Sequence, residues 1–190
     1  MPRDSSYTSR HPKAAALSIR VGSGKHEEID RLIAIDKAAS TLFAPTGLLS
    51  AEALNDHVPA SAFEHALDAG WLYVARLKTE IPIGFVMATT YGDDLYIEQI
   101  SVDPIHGRRG AGRALMAHIE AEAKTKGVSA LTLSTFRDLK WNAPFYRSLG
   151  YECLEPANIA SYMLAIEEEQ SQHMDVNART FMKKRLRKTH

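Results

Sequence analysis

With 190 residues, 45% of them hydrophobic and 24% charged, the chain has globular composition and enough length for one domain with a full core. Its 23 Lys+Arg balance 23 Asp+Glu, so no global field draws it to nucleic acid, and no apolar run approaches the ~18–20 residues that span a bilayer. A single cysteine, Cys153, excludes an internal disulfide and a cysteine-rich metal site.

Residues 1–16 are polar and basic and read as a disordered tail, with one domain over 17–190. The first residues lack the apolar core of a signal peptide, which makes the cytoplasm the expected location. Residues 17–21 alternate like a short strand, broken by Gly22 and Gly24. Ile29, Leu32, Ile33 and Asp36 recur at helical spacing and predict a helix over 26–39. Residues 40–48 form a loop, 51–57 a second short helix. Ser61-Ala62-Phe63-Glu64 has the form of a capping box and predicts a third helix, which Gly70 ends.

The next segments read as strands at 71–77, 83–90 and 95–102, joined by turns at 78–80 and 92–94: an antiparallel meander. In the third strand Leu95 and Ile97 have one parity, Ile100 and Val102 the other. If all four face the core, an extra residue sits at Glu98-Gln99 as a β-bulge; burial of the strand on both faces is the alternative. A helix over 112–126 follows, with Ala111, Leu115, His118, Ile119 and Glu122 on one face and Gly127 as its stop. The strand at 130–134 is then parallel to 95–102 by a crossover connection, so the sheet is mixed and the parallel pair can splay into a slot. Residues 143–149 form a short helix stopped by Gly150, and Tyr151 starts a strand. A helix over 158–171 carries Ile159, Tyr162, Met163 and Ile166 on one face, with a solvated glutamate run at 167–169. Residues 179–186 read as a final basic edge strand, rather than a nucleic-acid arm, because Phe181 is its only aromatic.

The most informative stretch is Val102-Asp103-Pro104-Ile105-His106-Gly107-Arg108-Arg109-Gly110-Ala111-Gly112-Arg113. A strand feeds a glycine-rich loop that opens directly into a helix. Such a loop lets backbone approach a ligand, and the helix start offers unpaired N–H groups to an anion. No Gly-Lys-Ser/Thr follows, which excludes a Walker loop. Leu115 stands where the dinucleotide fingerprint has its third glycine. A structural Gly-rich turn with solvated arginines is the alternative.

This stretch resembles the acyl-CoA loop of the GNAT N-acetyltransferase superfamily, Gln/Arg-x-x-Gly-x-Gly/Ala after a Val-Asp-Pro strand end. Gly110 and Gly112 fit; Gly107 stands at the Gln/Arg position, which is a departure. Asn142, Phe145, Tyr146, Gly150 and Tyr151 resemble a second signature of that family, Asn-x-x-Phe-Tyr-x-x-x-Gly-Phe/Tyr. Taken alone, that string also fits a small helix with core aromatics. The resemblance covers about 71–155. It implies an α/β (α+β type) fold: a mixed, mostly antiparallel central sheet flanked by helices, with a splayed parallel strand pair.

The resemblance also implies acetyl-CoA as co-substrate and no metal. Its pyrophosphate would lie against Gly107, Arg108, Arg109, Gly110, Ala111, Gly112 and Arg113. Its pantetheine arm would run along the backbone of Ile100, Ser101 and Val102, with Asn142 and Phe145 beside it. The family Tyr, here Tyr146, would stand near the sulfur as a proton donor. Glu98, by its position at the expected bulge, is the best base, acting directly or through a water; a bulge N–H would serve the oxyanion. A solvent-facing Glu98 and a Tyr146 that only packs are the bland alternatives. Cys153, beyond Gly150 and away from the slot, is a poor nucleophile candidate, and the eight histidines show no ligand spacing.

The expected activity is acetyl transfer to a primary amine, a small amine or amino acid being favoured on fold-level analogy. Transfer to a protein N-terminus or lysine, and a non-catalytic acyl-CoA sensor, are the alternatives. Phe43, Thr46, Tyr91 and Asp93 are candidates to line the acceptor side. A homodimer is a further expectation of the resemblance.

Overall fold

Three runs rich in β-branched and aromatic residues, each closed by a tight turn, build the centre of the sheet. The computed structural model describes residues 18–186; the tail and the first residue of the predicted N-terminal strand, Leu17, lie outside them. Strands β2 (Leu72–Arg76), β3 (Pro82–Tyr91) and β4 (Asp94–Val102) pair antiparallel, and β1 (Arg20–Ser23) adds to β2. Helix α4 (Ala111–Thr125) crosses over to β5 (Ala130–Phe136), which runs parallel to β4. The last strand, β7 (Arg179–Arg185), pairs with β5 on one side and with the two-residue β6 (Glu152–Cys153) on the other. The sheet order is β1-β2-β3-β4-β5-β7-β6. This is the expected mixed sheet, mostly antiparallel, with one parallel pair.

Helices cover both faces because the strands are apolar on both. Ala111, Leu115, Met116, Ile119 and Ala123 of α4 pack on Tyr73, Val86, Leu95, Ile97, Leu131 and Met182. Helices α1 (Ile29–Ser40) and α3 (Ala60–Asp68) cover the opposite face through Ile29, Leu32, Ile35, Phe63 and Ala66. There α6 (Ser161–Ser171) adds Met163 against Tyr96 and Phe181. The short helices α2 (Ala51–Asn55) and α5 (Ala143–Arg147) complete the set. Among the described residues no helix is long and apolar enough to cross a membrane.

The parity conflict in β4 resolves as a bulge. Met87 pairs with Gln99 and Ala88 with Ile97, which leaves Glu98 as the extra residue. Leu95, Ile97, Ile100 and Val102 all reach the α4 core. Burial on both faces holds as well, since Tyr96 and Ser101 are buried. Thus the bulge and the two-faced strand coexist.

Asp36 locks the strand beyond the bulge to α1. It is 3% exposed; its Oδ1 accepts from Gln99 Nε2 (2.7 Å) and Ser101 Oγ (2.7 Å), and its Oδ2 from Val58 N (3.0 Å). The carboxylate that helical spacing put on the apolar face is therefore a three-element clamp, joining α1, β4 and the entry to α3.

Three local expectations fail. Helix α3 starts at Ala60 with Pro59 as N-cap and no side-chain cap bond, so Ser61 lies inside the helix and the predicted capping box is not formed. Pro59, with its extended ψ, places the boundary instead. Nor is β7 an edge strand. Its lysines are drawn inward by acids distant in sequence: Lys183 Nζ bonds Asp94 Oδ2 at 2.7 Å, and Lys184 Nζ bonds Glu120 Oε2 at 2.5 Å. Helix α6 is also shorter than predicted, with a separate turn at Pro156–Asn158 before it.

Removing the Asp36 carboxylate strands three donors in a closed space. Asp36→Ala is expected to lower the unfolding free energy by about 2–4 kcal/mol, read as a lower urea midpoint. A change under about 0.5 kcal/mol would mean that the clamp holds nothing.

Candidate functional site

Pairing between β4 and β5 runs only from Asp94↔Ala130 to Ile97↔Leu133. Beyond it, β4 continues against β3 through Ile100, Ser101 and Val102, while β5 continues against β7 as far as Phe136↔Arg179. Each strand follows a different neighbour, so a slot opens between them at the bulge. The backbone of residues 99–102 on the slot side has no ladder partner. The Ser101 side chain is committed to Asp36, so only the main chain of this residue is free to meet a ligand.

The glycine loop lies past the end of β4. Asp103, 6% exposed, anchors it: its backbone N–H bonds Ile83 O, its Oδ1 accepts from Ile105 N, and its Oδ2 accepts from Arg31 Nη2 at 2.6 Å. Arg108 (φ 58°) and Gly110 (φ 91°) turn the chain into α4. Gly110 is the N-cap and no side chain among the described residues caps the helix, so the first amides, those of Ala111, Gly112 and Arg113, have no partner among them. Arg108 and Arg109 are exposed beside them. Part of Arg113 is spent, its Nη2 donating to Ser148 Oγ at 3.1 Å. Gly107 is needed for the turn itself, since a Cβ there would lie 3.0 Å from Pro104 O.

Helix α5 packs against this helix start. A Cβ on Gly112 would meet Phe145 Cζ at 3.8 Å, an ordinary contact. Asn142 is the N-cap of α5 and makes no side-chain cap bond. Tyr146 is buried, its ring set edge-on to Phe145 and Tyr151 (centroids 5.2 and 5.8 Å). Burial pushes the Tyr146 phenol well above its ordinary value, with the positive charge of Arg179 opposing. The structure therefore sets Gly112 of the loop against Phe145, with Tyr146 beside Phe145.

Glu98 projects from the bulge, exposed, into a cleft of about 260 Å³ with Tyr91, Tyr96, Glu169, Gln170 and His173. Burial pushes the Tyr96 phenol up to about 12, Arg179 acting against it and Glu98 with it. Of the four residues expected on the acceptor side, Tyr91 lines this cleft and stacks on Tyr162 (centroids 4.4 Å, 5°). Phe43 packs on Phe136 and Trp141 at 5.6 and 6.4 Å. Thr46 Oγ1 is spent on its own turn, donating to Phe43 O. Asp93 sits in the β3–β4 turn, where its carbonyl accepts from Ser129 N, and does not line the cleft.

A second cleft, about 340 Å³, adjoins the first at Gln170 and is lined by Ser134, Arg137, Cys153, Glu167 and Arg179 among others. Cys153 is exposed on β6, beyond β7 from the slot, where it lines this second cleft and accepts from Arg147 Nη2 at 3.2 Å. Arg179, taken as one more basic residue of a terminal strand, is set over the Phe136 ring at 4.8 Å. No local pattern marks it; only the pairing of β7 with β5 brings it here.

The Acetyltransferase (GNAT) family matches residues 40–151 of the sequence. The chain belongs to the GNAT acetyltransferase family. It is accordingly an N-acetyltransferase with the GNAT fold. Similar folds include the ribosomal-protein-S18-alanine N-acetyltransferase of Escherichia coli, 15% identical with a TM-score of 0.65 over 91% of this chain and 97% of that one. The PaiA N-acetyltransferase of Thermoplasma acidophilum, solved with coenzyme A, is 14% identical with a TM-score of 0.65 over 90% and 100%. N-acetylglutamate synthase of Neisseria gonorrhoeae, solved with coenzyme A and N-acetyl-glutamate, is 16% identical with a TM-score of 0.63 over 90% of this chain and 35% of that one.

The loop glycines differ in what the fold asks of them. Gly110, at positive φ, is expected to lose about 1–2 kcal/mol on change to Ala. Gly112, with an ordinary φ and room for a Cβ, is expected to accept Ala without loss of thermal stability. Equal melting of the two variants would contradict this.

Proposed function

We propose that the protein transfers an acetyl group from acetyl-CoA to a primary amine, favouring a small amine or amino acid, in one step within a ternary complex. The observation that carries the reading is the slot between β4 and β5, with the uncapped start of α4 at its mouth. Open amides, the helix dipole and the exposed Arg108 and Arg109 suit a pyrophosphate. Gly107, Gly110, Ala111, Gly112 and Arg113 complete that cradle. Unpaired main chain at Ile100, Ser101 and Val102 suits the amide-bearing pantetheine arm, with Phe145 and Asn142 flanking it. The thioester then comes to the bulge.

The acceptor arrives as an ammonium with a pKa near ~10 and must lose a proton before attack. Glu98, exposed at the bulge and in no ion pair among the described residues, takes that proton directly or through a water. The amine nitrogen bonds the thioester carbonyl carbon, and a bulge N–H stabilises the oxyanion. As the C–S bond breaks, Tyr146 supplies a proton to the departing sulfur. A phenol held above its ordinary value by burial is protonated at neutral pH, as a donor must be.

Isothermal titration with acetyl-CoA tests the cradle, comparing wild type with Gly112→Asp. The site accepts a side chain, and a carboxylate in the first turn suits the helix, so this variant is expected to fold. Micromolar binding by the wild type, lost in the variant, is the expected result; no binding by the wild type would sink the acyl-CoA reading.

Tyr146→Phe keeps the ring packing and removes the proton. Its kcat is expected to fall on the order of 100-fold with little change in KM for acetyl-CoA. Since the acid form is the active one and its pKa is raised, the wild-type kcat should show no descending limb from Tyr146 below about pH 10. A kcat unchanged in the Phe variant would leave Tyr146 a packing residue.

A further inference from the structure

Arg179 is a half-buried cation that forms no ion pair among the described residues. Every other detail of its setting is specific. Its Nε donates to Ser134 Oγ at 3.0 Å and its Nη2 to Ser134 O at 2.9 Å. Ser134 Oγ in turn donates to Gln170 Oε1 at 3.3 Å. The flat face of the guanidinium lies over Phe136. So one edge of the fork is clamped by a single residue and one face by an aromatic ring. The end edge, with both N–H bonds of Nη1 and the second of Nη2, bonds nothing among the described residues, and Arg179 lines the second cleft. Two parallel N–H bonds on a fixed guanidinium match the two oxygens of a carboxylate.

The surroundings keep this cation without a local acid. Glu155 and Glu167 line the same cleft, yet neither pairs with Arg179. Arg137 adds a second guanidinium, its Nη2 donating to the Arg179 carbonyl at 2.7 Å. Leaving a shielded cation unpaired costs free energy, and an incoming anion recovers it. The adjoining cleft has the opposite character: Glu98 and Glu169 face it together with Tyr91 and Tyr96. Gln170 lines both. The two clefts thus offer a carboxylate pair for an ammonium and a guanidinium fork for an anion, side by side at the mouth of the slot.

We infer that Arg179 is the acceptor-specificity residue, its free fork holding the carboxylate of an amino-acid acceptor whose ammonium lies in the Glu98 cleft. The inference rests on the acetyl-transfer reading above and adds the substrate class to it. It separates a free amino acid, which has both charges, from a lysine side chain or a peptide N-terminus, which brings only the ammonium.

The test measures thiol release from acetyl-CoA with the twenty L-amino acids, each paired with its C-terminal amide, and with an alanyl tripeptide amide. Wild type, Arg179→Gln and Arg179→Lys are compared, with acetyl-CoA titration and thermal melting on each. At least one amino acid is expected to exceed its amide by about 10–100-fold in kcat/KM, the size of a charge-assisted bond to an ionised group. Arg179→Gln should erase the acid-over-amide ratio, whatever its effect on kcat for both, while keeping acetyl-CoA affinity. Arg179→Lys, which keeps the charge without the fork, should retain only part of it, and serves if the Gln variant does not fold. Equal use of acid and amide by the wild type, a preference that survives in the variants, or acetylation of the tripeptide amide alone would overturn the inference. So would a wild type that binds acetyl-CoA and acetylates no amino acid. A wild type that fails to bind acetyl-CoA would overturn the parent reading as well, and the titration tells the two failures apart.

Discussion

One buried carboxylate sets the geometry on which the site depends. Asp36 accepts hydrogen bonds from two side chains of β4 and one backbone amide before α3, all within 3.0 Å. A buried carboxylate holds its place only where its lone pairs are filled, and each of these donors would itself be unsatisfied without it. The strand past the bulge therefore has one register. Gln99 and Ser101 must face α1, which turns Ile100 and Val102 to the α4 core and leaves Glu98 outside the ladder. A one-residue slip would bury Glu98 and expose Ile100, and would break the clamp as well.

The slot follows from where the two parallel strands find their other partners. After Ile97, β4 is held by β3 and by Asp36; after Leu133, β5 is held by β7. The bulge adds local twist at that point. Pairing cannot resume, and main-chain groups are left facing an opening. Below it, α4 begins without a side-chain cap, at the place where its amides and those strand groups converge. Arg31, bonded to Asp103, fixes the loop to the same helix that carries Asp36. Helix α1 thus sets both the bulged strand and the start of the glycine loop.

Much of this was legible in the chain because it is local. The meander, the crossover helix, the glycine punctuation and the bulge all rest on periodicity or parity within a few residues. What was not legible is what depends on distant partners. Lys183 and Lys184 read as a solvated basic edge because their acids, Asp94 and Glu120, are 89 and 64 residues away. Ser101 is expected to meet the pantetheine arm through its backbone, and nothing local shows that its hydroxyl bonds a carboxylate 65 residues upstream. Ser61 and Glu64 had the right spacing for a capping box, but Pro59 reached the helix start first. Arg179 is the strongest instance: a single basic residue of an ordinary strand becomes distinctive only once Phe136 and Ser134 are set opposite it.

The position of Arg179 also bears on the phenols around the slot. Tyr96 and Tyr146 are both driven toward the protonated form by burial, and the same guanidinium opposes that drive in each. A donor in wholly apolar surroundings would hold its proton too tightly to release it to a thiolate. A fixed cation nearby lowers the cost of the phenolate without making it the resting form. An arginine suits this task because it stays charged where a lysine would titrate. On the proposed reading, a carboxylate bound at the free edge of the fork would neutralise part of that field and so couple acceptor binding to the acidity of Tyr146. In the proposed reaction a bound anion would make Tyr146 a weaker acid, so anchoring the acceptor and protonating the departing sulfur would draw on the same positive charge.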